Sequence, residues 1–533
     1  MHELVDLIDF IQKTKFKSNT LLDSLIKPDS QMGKIYHAIA EDLAQTDEDL
    51  LRQFPEFGSL AKVTVLKTRL KNRLCEAVFL LDFREESFPD RQTAFVECIK
   101  KWSAAMILIS KNIRNVGVKQ LENLLRHTLD FEFTELSMNI IRTLELYYAT
   151  IEGDQRKYTE LEVELKELEA IWLMEREVER MYSDLMINYV NTRGDKHLAA
   201  QKATEYFARV EPFMQQYAAF KIHFFGYLIK TIIHDSGNEF EAMEKTCLDA
   251  VAFFDQKKYR SGMVLQTFYY NLIMCSLYTR QFNKGRPFVQ RMEELLEENS
   301  FNWFKVQELY FMMAMHTANY QVAFETLIKV QRNPYITAQP PHILEIWKLY
   351  EAYVQFLILS GELKETRDGF DQMNYKISRF LNEVPLLSKD KRGMNIPVLI
   401  IQFLFYVAQH RQDECESRMD ALKKYSGRYL NDETTQRSRY FIKLLLQIPG
   451  TAFHLGRTLD KTGETFRLLL DKPLNTVIQH MEIEIIPYEV LWPIVLRSLN
   501  RPSVAGPDAA TESPLLSAWN RSQTLLMRSA GAV

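Results

Sequence analysis

The fold turns on how one stretch is read: LILSGELKETRDGF, residues 357–370. An apolar run ends, Ser360-Gly361-Glu362 makes a polar break, and a second helix-forming run begins. The same break recurs as NTRGDKHLA around Gly194, HDSGNEFEA around Gly237, LYTRQFNKG around Arg280 and MHTANYQVA around Ala318. These five anchors are separated by 43, 43, 38 and 43 residues, and Gly153 in IEGDQ lies 41 residues before Gly194. Spacing this regular marks a structural repeat rather than a chance series of loops.

Two further regularities go with it. Five residues after each anchor stands a small side chain, Ala199, Ala242, Gly285, Ala323 or Thr366, which lets two helices approach closely. Two residues after three of the anchors stands a large apolar group, Phe282, Tyr320 or Leu363, whereas Lys196 and Glu239 occupy that place in the first two units. Between anchors the apolar residues keep helical spacing: Trp303, Val306, Tyr310, Met313 and Thr317 before one break, Tyr320, Ala323, Phe324, Leu327 and Ile328 after it. Asn333-Pro334 then ends the second helix, because a residue before proline is pushed out of the helical region. The period of about 43 thus holds two helices and a linker, and each pair leaves an apolar face that only the next pair can cover.

The expected fold is all-α: a right-handed superhelix of helix pairs over residues 136–447. A helical bundle or cap (1–135) precedes it, and a helical cap (448–499) and a flexible tail (500–533) follow. Asp23-Ser24 and Asp47-Glu48-Asp49 are the expected helix starts in the first segment, and Pro487 the opening of the last helix. From about Gly153 to Met373 the turn glycine, the aromatic after it and the small residue in the second helix resemble those of tetratricopeptide-like α-solenoids. The family's Trp-x2-Leu-Gly-x2-Tyr pattern is absent, and the period exceeds the family's usual 34 or so. The resemblance is therefore to a tetratricopeptide-like stack with long helices, of a period closer to HEAT pairs.

Composition agrees. In 533 residues there are 18 Gly and 17 Pro, few for a turn-rich β architecture, and 46% of residues are hydrophobic, enough for extensive cores. The net charge of −4 lacks the overall positive field of a nonspecific nucleic-acid binder. The acidic residues in MHELVDLIDFIQKTK do not suit an export signal, and the longest nearly apolar run, IPVLIIQFLFYVA (396–408), is short for a bilayer and suits a buried helix. Cys75, Cys98, Cys247, Cys275 and Cys415 are scattered without metal-ligand spacing, which fits buried thiols in a reducing compartment and hence a cytoplasmic location. In TELEVELKELEAIWLMEREVERMY (159–182) Leu161, Leu165, Leu168 and Trp172 keep a heptad seam that Glu175 breaks, so a long solenoid helix is expected rather than a coiled coil.

Phosphate-loop, dinucleotide, zinc-protease and nucleophile-elbow motifs are all absent. His234-Asp235 matches the adjacent metal ligands of HD-type phosphohydrolases, with His197, His223, Asp249 and Asp255 as possible further ligands, but it also falls where a repeat helix ends, a place that favours both residue types. Two basic-aromatic stretches, 62–73 and 423–441, could meet nucleic acid or form solvated helix faces. The reading that remains is a noncatalytic scaffold or regulatory protein, with no cofactor or catalytic metal, no membrane insertion and an unspecified oligomeric state. It binds a peptide or protein segment in the groove of the superhelix. An HD-type metal phosphohydrolase, a nucleic-acid-binding repeat protein and a peptide-responsive sensor are the alternatives. The resemblance implies that the groove is lined by the first helix of each pair. Transferred to these anchors, that face carries Asn188 and Asn191; Tyr227, Thr231 and His234; Tyr270 and Met274; Lys305, Glu308 and Met312; and Lys348, Glu351 and Gln355. The family's carboxylate-holding Lys and Asn are matched only piecemeal, by Asn188, Lys305 and Lys348, so a C-terminal carboxylate is not specifically implied.

Overall fold

The computed structural model describes residues 1–13, 26–41, 43–80, 90–191, 196–363, 395–430, 435–472 and 484–499. Every regular element among them is helical, as expected, and β-type pairing is confined to an isolated parallel bridge between Asp90 and Arg260.

The helices are joined by one recurring turn. Arg280 (φ 54°), Ala318 (φ 56°) and Gly361 (φ 71°) are left-handed, as is Gly153 (φ 67°). At the second anchor the left-handed residue is Asn238 (φ 54°), and Gly237 is the last residue of helix Phe220–Gly237. Asn tolerates this backbone nearly as well as Gly, so the turn moved by one residue. That shift also places Phe240, which packs on Tyr278 with ring centroids 4.4 Å apart, two residues after the turn. The missing aromatic of that repeat was thus a matter of register. Gly194 lies outside the described residues.

The same geometry occurs beyond the anchors, at Asn112, Glu132 and His410, while Ala452 and Phe453 form a turn with two left-handed residues. In each of six turns the residue after the left-handed one donates its N–H to the carbonyl five residues back: Ile113 to Leu108, Phe133 to Thr128, Gln281 to Ser276, Asn319 to Ala314, Glu362 to Leu357 and Arg411 to Tyr406, all at 2.8–2.9 Å. These bonds satisfy carbonyls that the helix end leaves without partners. Five residues after the turn the small residue also recurs, as buried Gly117, Ser137, Gly285, Ala323 and Cys415, whereas the shifted second turn has Met243 there and Ala242 one place earlier. The reason is steric: a Cβ on Gly285 would meet the Met313 sulfur and stand 2.7 Å from Ser276 Cβ, and one on Gly117 would stand 2.6 Å from Ile109 Cγ1.

The chain forms two compact units, residues 1–238 with 248–265 and residues 239–247 with 266–533. In the first unit, Ile8, Ile35, Leu50, Phe57, Leu70 and Leu74 build an N-terminal core. Helix Asp47–Gln53 opens where its acidic triplet predicted, with a capping box in which Thr46 Oγ1 accepts from Asp49 N–H and Asp49 accepts from Thr46 N–H; Asp23-Ser24 lies outside the described residues. The 37-residue helix Gln155–Asn191 then lends Leu161, Leu165 and Leu168 to a core with Leu121, Ile140, Ile141 and Leu144. Further along it lends Met174, Val178, Met181 and Leu185 to another core with Ala203, Val210, Ile222 and Ile229. It is a long helix packed inside one chain, as the broken heptad seam predicted.

In the second unit, helix Phe301–His316 is buried around almost its whole circumference. Helix Asn395–Ala408 is a core element as expected, its Pro397 carbonyl accepting from Tyr353 OH at 3.1 Å. Arg332 ends its helix before Asn333-Pro334. Pro487 precedes helix Tyr488–Leu499, and its carbonyl accepts from Val490 and Leu491. No helix among the described residues is long and apolar enough to cross a membrane.

Candidate interaction face

The first helices of consecutive pairs in the second unit are Gly262–Tyr278, Phe301–His316 and Pro341–Leu359. The first contributes its residues from 266 onward to this unit. Glu308 bridges the second and third of them, and its charge also acts on Tyr270 of the first. It is 8% exposed, accepts from Lys305 Nζ at 2.6 Å and lies 3.4 Å from the Tyr350 hydroxyl. Burial, with the Glu308 charge added, pushes the phenols of both Tyr270 and Tyr350 up, so both stay neutral hydrogen-bond donors. At the next residue, burial raises the Glu351 carboxyl, against Gln331, which hydrogen-bonds to it, and Lys348. Phe311 stacks on Tyr350 at 4.6 Å and holds the second and third helices together.

The expected groove residues fall into two groups. Thr231, Glu308, Met312 and Gln355 are buried, and the Thr231 hydroxyl donates to the Leu228 carbonyl of its own helix. Tyr270, Met274, Lys305 and Glu351 are half-buried and Lys348 is exposed, so a partner would meet this face through them. In the first unit, half-buried Tyr227 packs beside Phe253 and His223, and half-buried His234 is on the same helix. Asn188 and Asn191 belong to helix Gln155–Asn191, with side chains outside the described residues.

Several residues that suggested other chemistries are engaged within the chain. Among the described residues no group of three or more His, Cys, Asp or Glu side chains could hold a metal. His223, offered as a ligand, instead stacks on Phe253 at 3.7 Å and donates to the Tyr217 carbonyl. In the 62–73 stretch Lys67 is paired with Asp47 and Lys71 with Glu3, each at 2.5 Å. In the 423–441 stretch Arg437 points inward, 5% exposed, leaving Lys423, Lys424, Arg428 and Arg439 exposed.

That inward arginine heads a polar hub that the sequence reading missed. Arg437 grips Glu484 with two bonds, at 2.6 and 2.9 Å, donates to Glu489 and bonds the Lys472 carbonyl at 2.8 Å. Arg280 reaches Glu489 from its left-handed turn. His316 Nε2–H donates to the Glu484 carbonyl at 2.6 Å. Although burial alone would raise it, Arg437 and Arg280 pull the Glu489 carboxyl down to about 2. Burial, reinforced by the same arginines, lowers His316 to about 4.

A second hub lies in the first unit. Glu132 accepts from Phe220 N–H at 2.8 Å, Lys257 at 2.7 Å and Tyr259 OH at 2.8 Å. Arg91 sits on the Phe220 ring at 3.7 Å and caps the carbonyls of Phe131 and Glu132. The available signals were carboxylates inside apolar runs: Glu484 in MEIEIIP, Glu175 in the leucine seam and Glu132 between two phenylalanines. Comparison with protein families, with curated proteins and with solved structures returned no match.

Proposed function

We propose that the protein is a noncatalytic scaffold or regulatory protein that binds a peptide or protein segment along the first helices of its pairs. In this reading the pairs form a tetratricopeptide-like superhelix and the first helices line its concave groove. The observation that carries it is the joined face of the second unit, where Glu308 and Tyr350 link two successive first helices beside the accessible Tyr270, Lys305, Lys348 and Glu351. Aromatic contact area flanked by charges and amides suits an extended peptide, whose backbone needs polar partners and whose side chains need apolar ones. The five free thiols, four of them buried, fit the cytoplasm as the working compartment.

The test is capture of partners from the native host by wild type, by Lys348→Glu and by Lys423→Glu, a substitution away from this face. The expected result is loss of a captured protein with Lys348→Glu alone, with the thermal midpoint moved by less than about 2 °C, since both lysines are exposed. Equal capture by all three overturns the assignment of the face.

A further inference from the structure

Glu175 stands where helix Gln155–Asn191 passes from one core to the next. Leu161, Leu165 and Leu168 precede it in the core of Leu121 and Ile141; Val178, Met181 and Leu185 follow it in the core of Val210 and Ile229. Its side chain is 2% exposed, and Thr134 Oγ1, at the start of helix Thr134–Tyr147, donates to it at 3.0 Å. Among the described residues no lysine or arginine forms an ion pair with it. Lys221 on helix Phe220–Gly237 and Arg91 on helix Arg91–Ser110 favour its charge only from a distance, and Glu132 opposes it. Arg91 is committed to the Phe131 and Glu132 carbonyls, while Glu132 is held by Lys257, Tyr259 and Phe220. A carboxylate here gives up its water and receives one hydrogen bond and no counter-charge, so the neutral acid is the form that fits.

We infer that Glu175 is a proton-operated latch: protonated, it lets the long helix stay packed across both cores, and on losing its proton it is drawn out towards water and loosens that packing, the Thr134 hydrogen bond opposing the release. Burial is the main force acting on its carboxyl and pushes it up to about 7, with Lys221 and the Thr134 hydrogen bond pulling back. In the released state the carboxyl meets water and titrates near the ordinary value of about 4.3. Release therefore becomes easier as pH rises from about 4.5 to about 7 and levels off above, because beyond that point both states have lost the proton.

The test is amide hydrogen exchange on the full chain from pH 5 to pH 8, with rates corrected for the pH dependence of the exchange chemistry. Segments 134–147 and 171–182 should open roughly tenfold more often per pH unit between 5 and 7, and level off towards pH 8. Glu175→Gln, which keeps shape and removes the charge, should abolish that slope. Wild-type opening that is flat with pH, a slope shared equally by every segment, or a slope that survives in Glu175→Gln would each overturn the latch. The wild-type profile decides by itself should the variant fail to fold.

Discussion

The two units bury charge in opposite ways. In the second, Arg437 is matched by Glu484 and Glu489, and Glu489 has Arg280 as well, so both carboxylates of the hub meet a guanidinium. In the first, Glu132 is matched by Lys257, yet Glu175, beside the same turn, has a hydroxyl and no cation. Desolvating a charge is unfavourable in both places, and only a close, well-aligned counter-charge offsets it. Matched charges make a hub that requires all its members. An unmatched one makes a site that answers to pH.

The largest effect expected from breaking this contrast is at Arg437. Arg437→Met leaves Glu484 and Glu489 buried with too little positive charge and should destabilise the second unit by at least about 3 kcal/mol in urea unfolding. The double variant Arg437→Met with Glu484→Leu should recover much of that loss, because Glu489 retains Arg280. A double variant as unstable as the single one would show that the hub is more than charge matching.

The next effect is on pH. Glu175 has a raised folded value, so its stabilisation of the first unit is full below about 4.5 and is lost as pH rises through about 7. His316 has a lowered one: its neutral ring donates Nε2–H to Glu484, and a proton on the buried Nδ1 would face Arg280 and Arg437. Its contribution is present above about 6.5 and is lost as pH falls through about 4. Between about pH 4.5 and 6.5 these two groups should therefore contribute with opposite sign, each by roughly 3 kcal/mol over its full range. Proteolysis resolved by cleavage site across this range checks it, and slopes of the same sign in both units would refute it.

The smallest effect should be equal in the two. Gly153 and Gly361 are both left-handed helix stops, one in each unit, at φ 67° and 71°. Gly153→Ala and Gly361→Ala should each cost about 1 kcal/mol through backbone strain alone. A marked difference in thermal midpoint shift between them would mean that the hubs, not the turns, set local stability.

The turns were legible in the sequence because they are local. A helix stop at Gly361, a small residue five positions on and an apolar group two positions on belong to one short window, and their recurrence showed through even where Arg280 and Ala318 replaced glycine. Asn238 escaped by one residue because Gly237 beside it fits the same role. The choice of Tyr270, Lys305 and Glu351 came from the resemblance, and they are half-buried, whereas the burial of Glu308 and Gln355 depends on which helices cover them. The hubs were invisible for a stronger reason. Arg280 and Glu489 are 209 residues apart and Glu132 and Tyr259 127, and no pattern along a chain encodes such a meeting.

The six-residue turn carries a consequence for the order of assembly. Each hairpin can close on itself within microseconds, since its turn bond spans five residues and its helices are neighbours in the chain. Nucleation can thus start at many hairpins independently, as in other repeat arrays. The longest hub bonds must wait for the loop-closure entropy of more than a hundred residues to be overcome, so these bonds are expected to form after the rate-limiting barrier. Their strength then governs how slowly the native chain comes apart and has little bearing on how quickly it comes together.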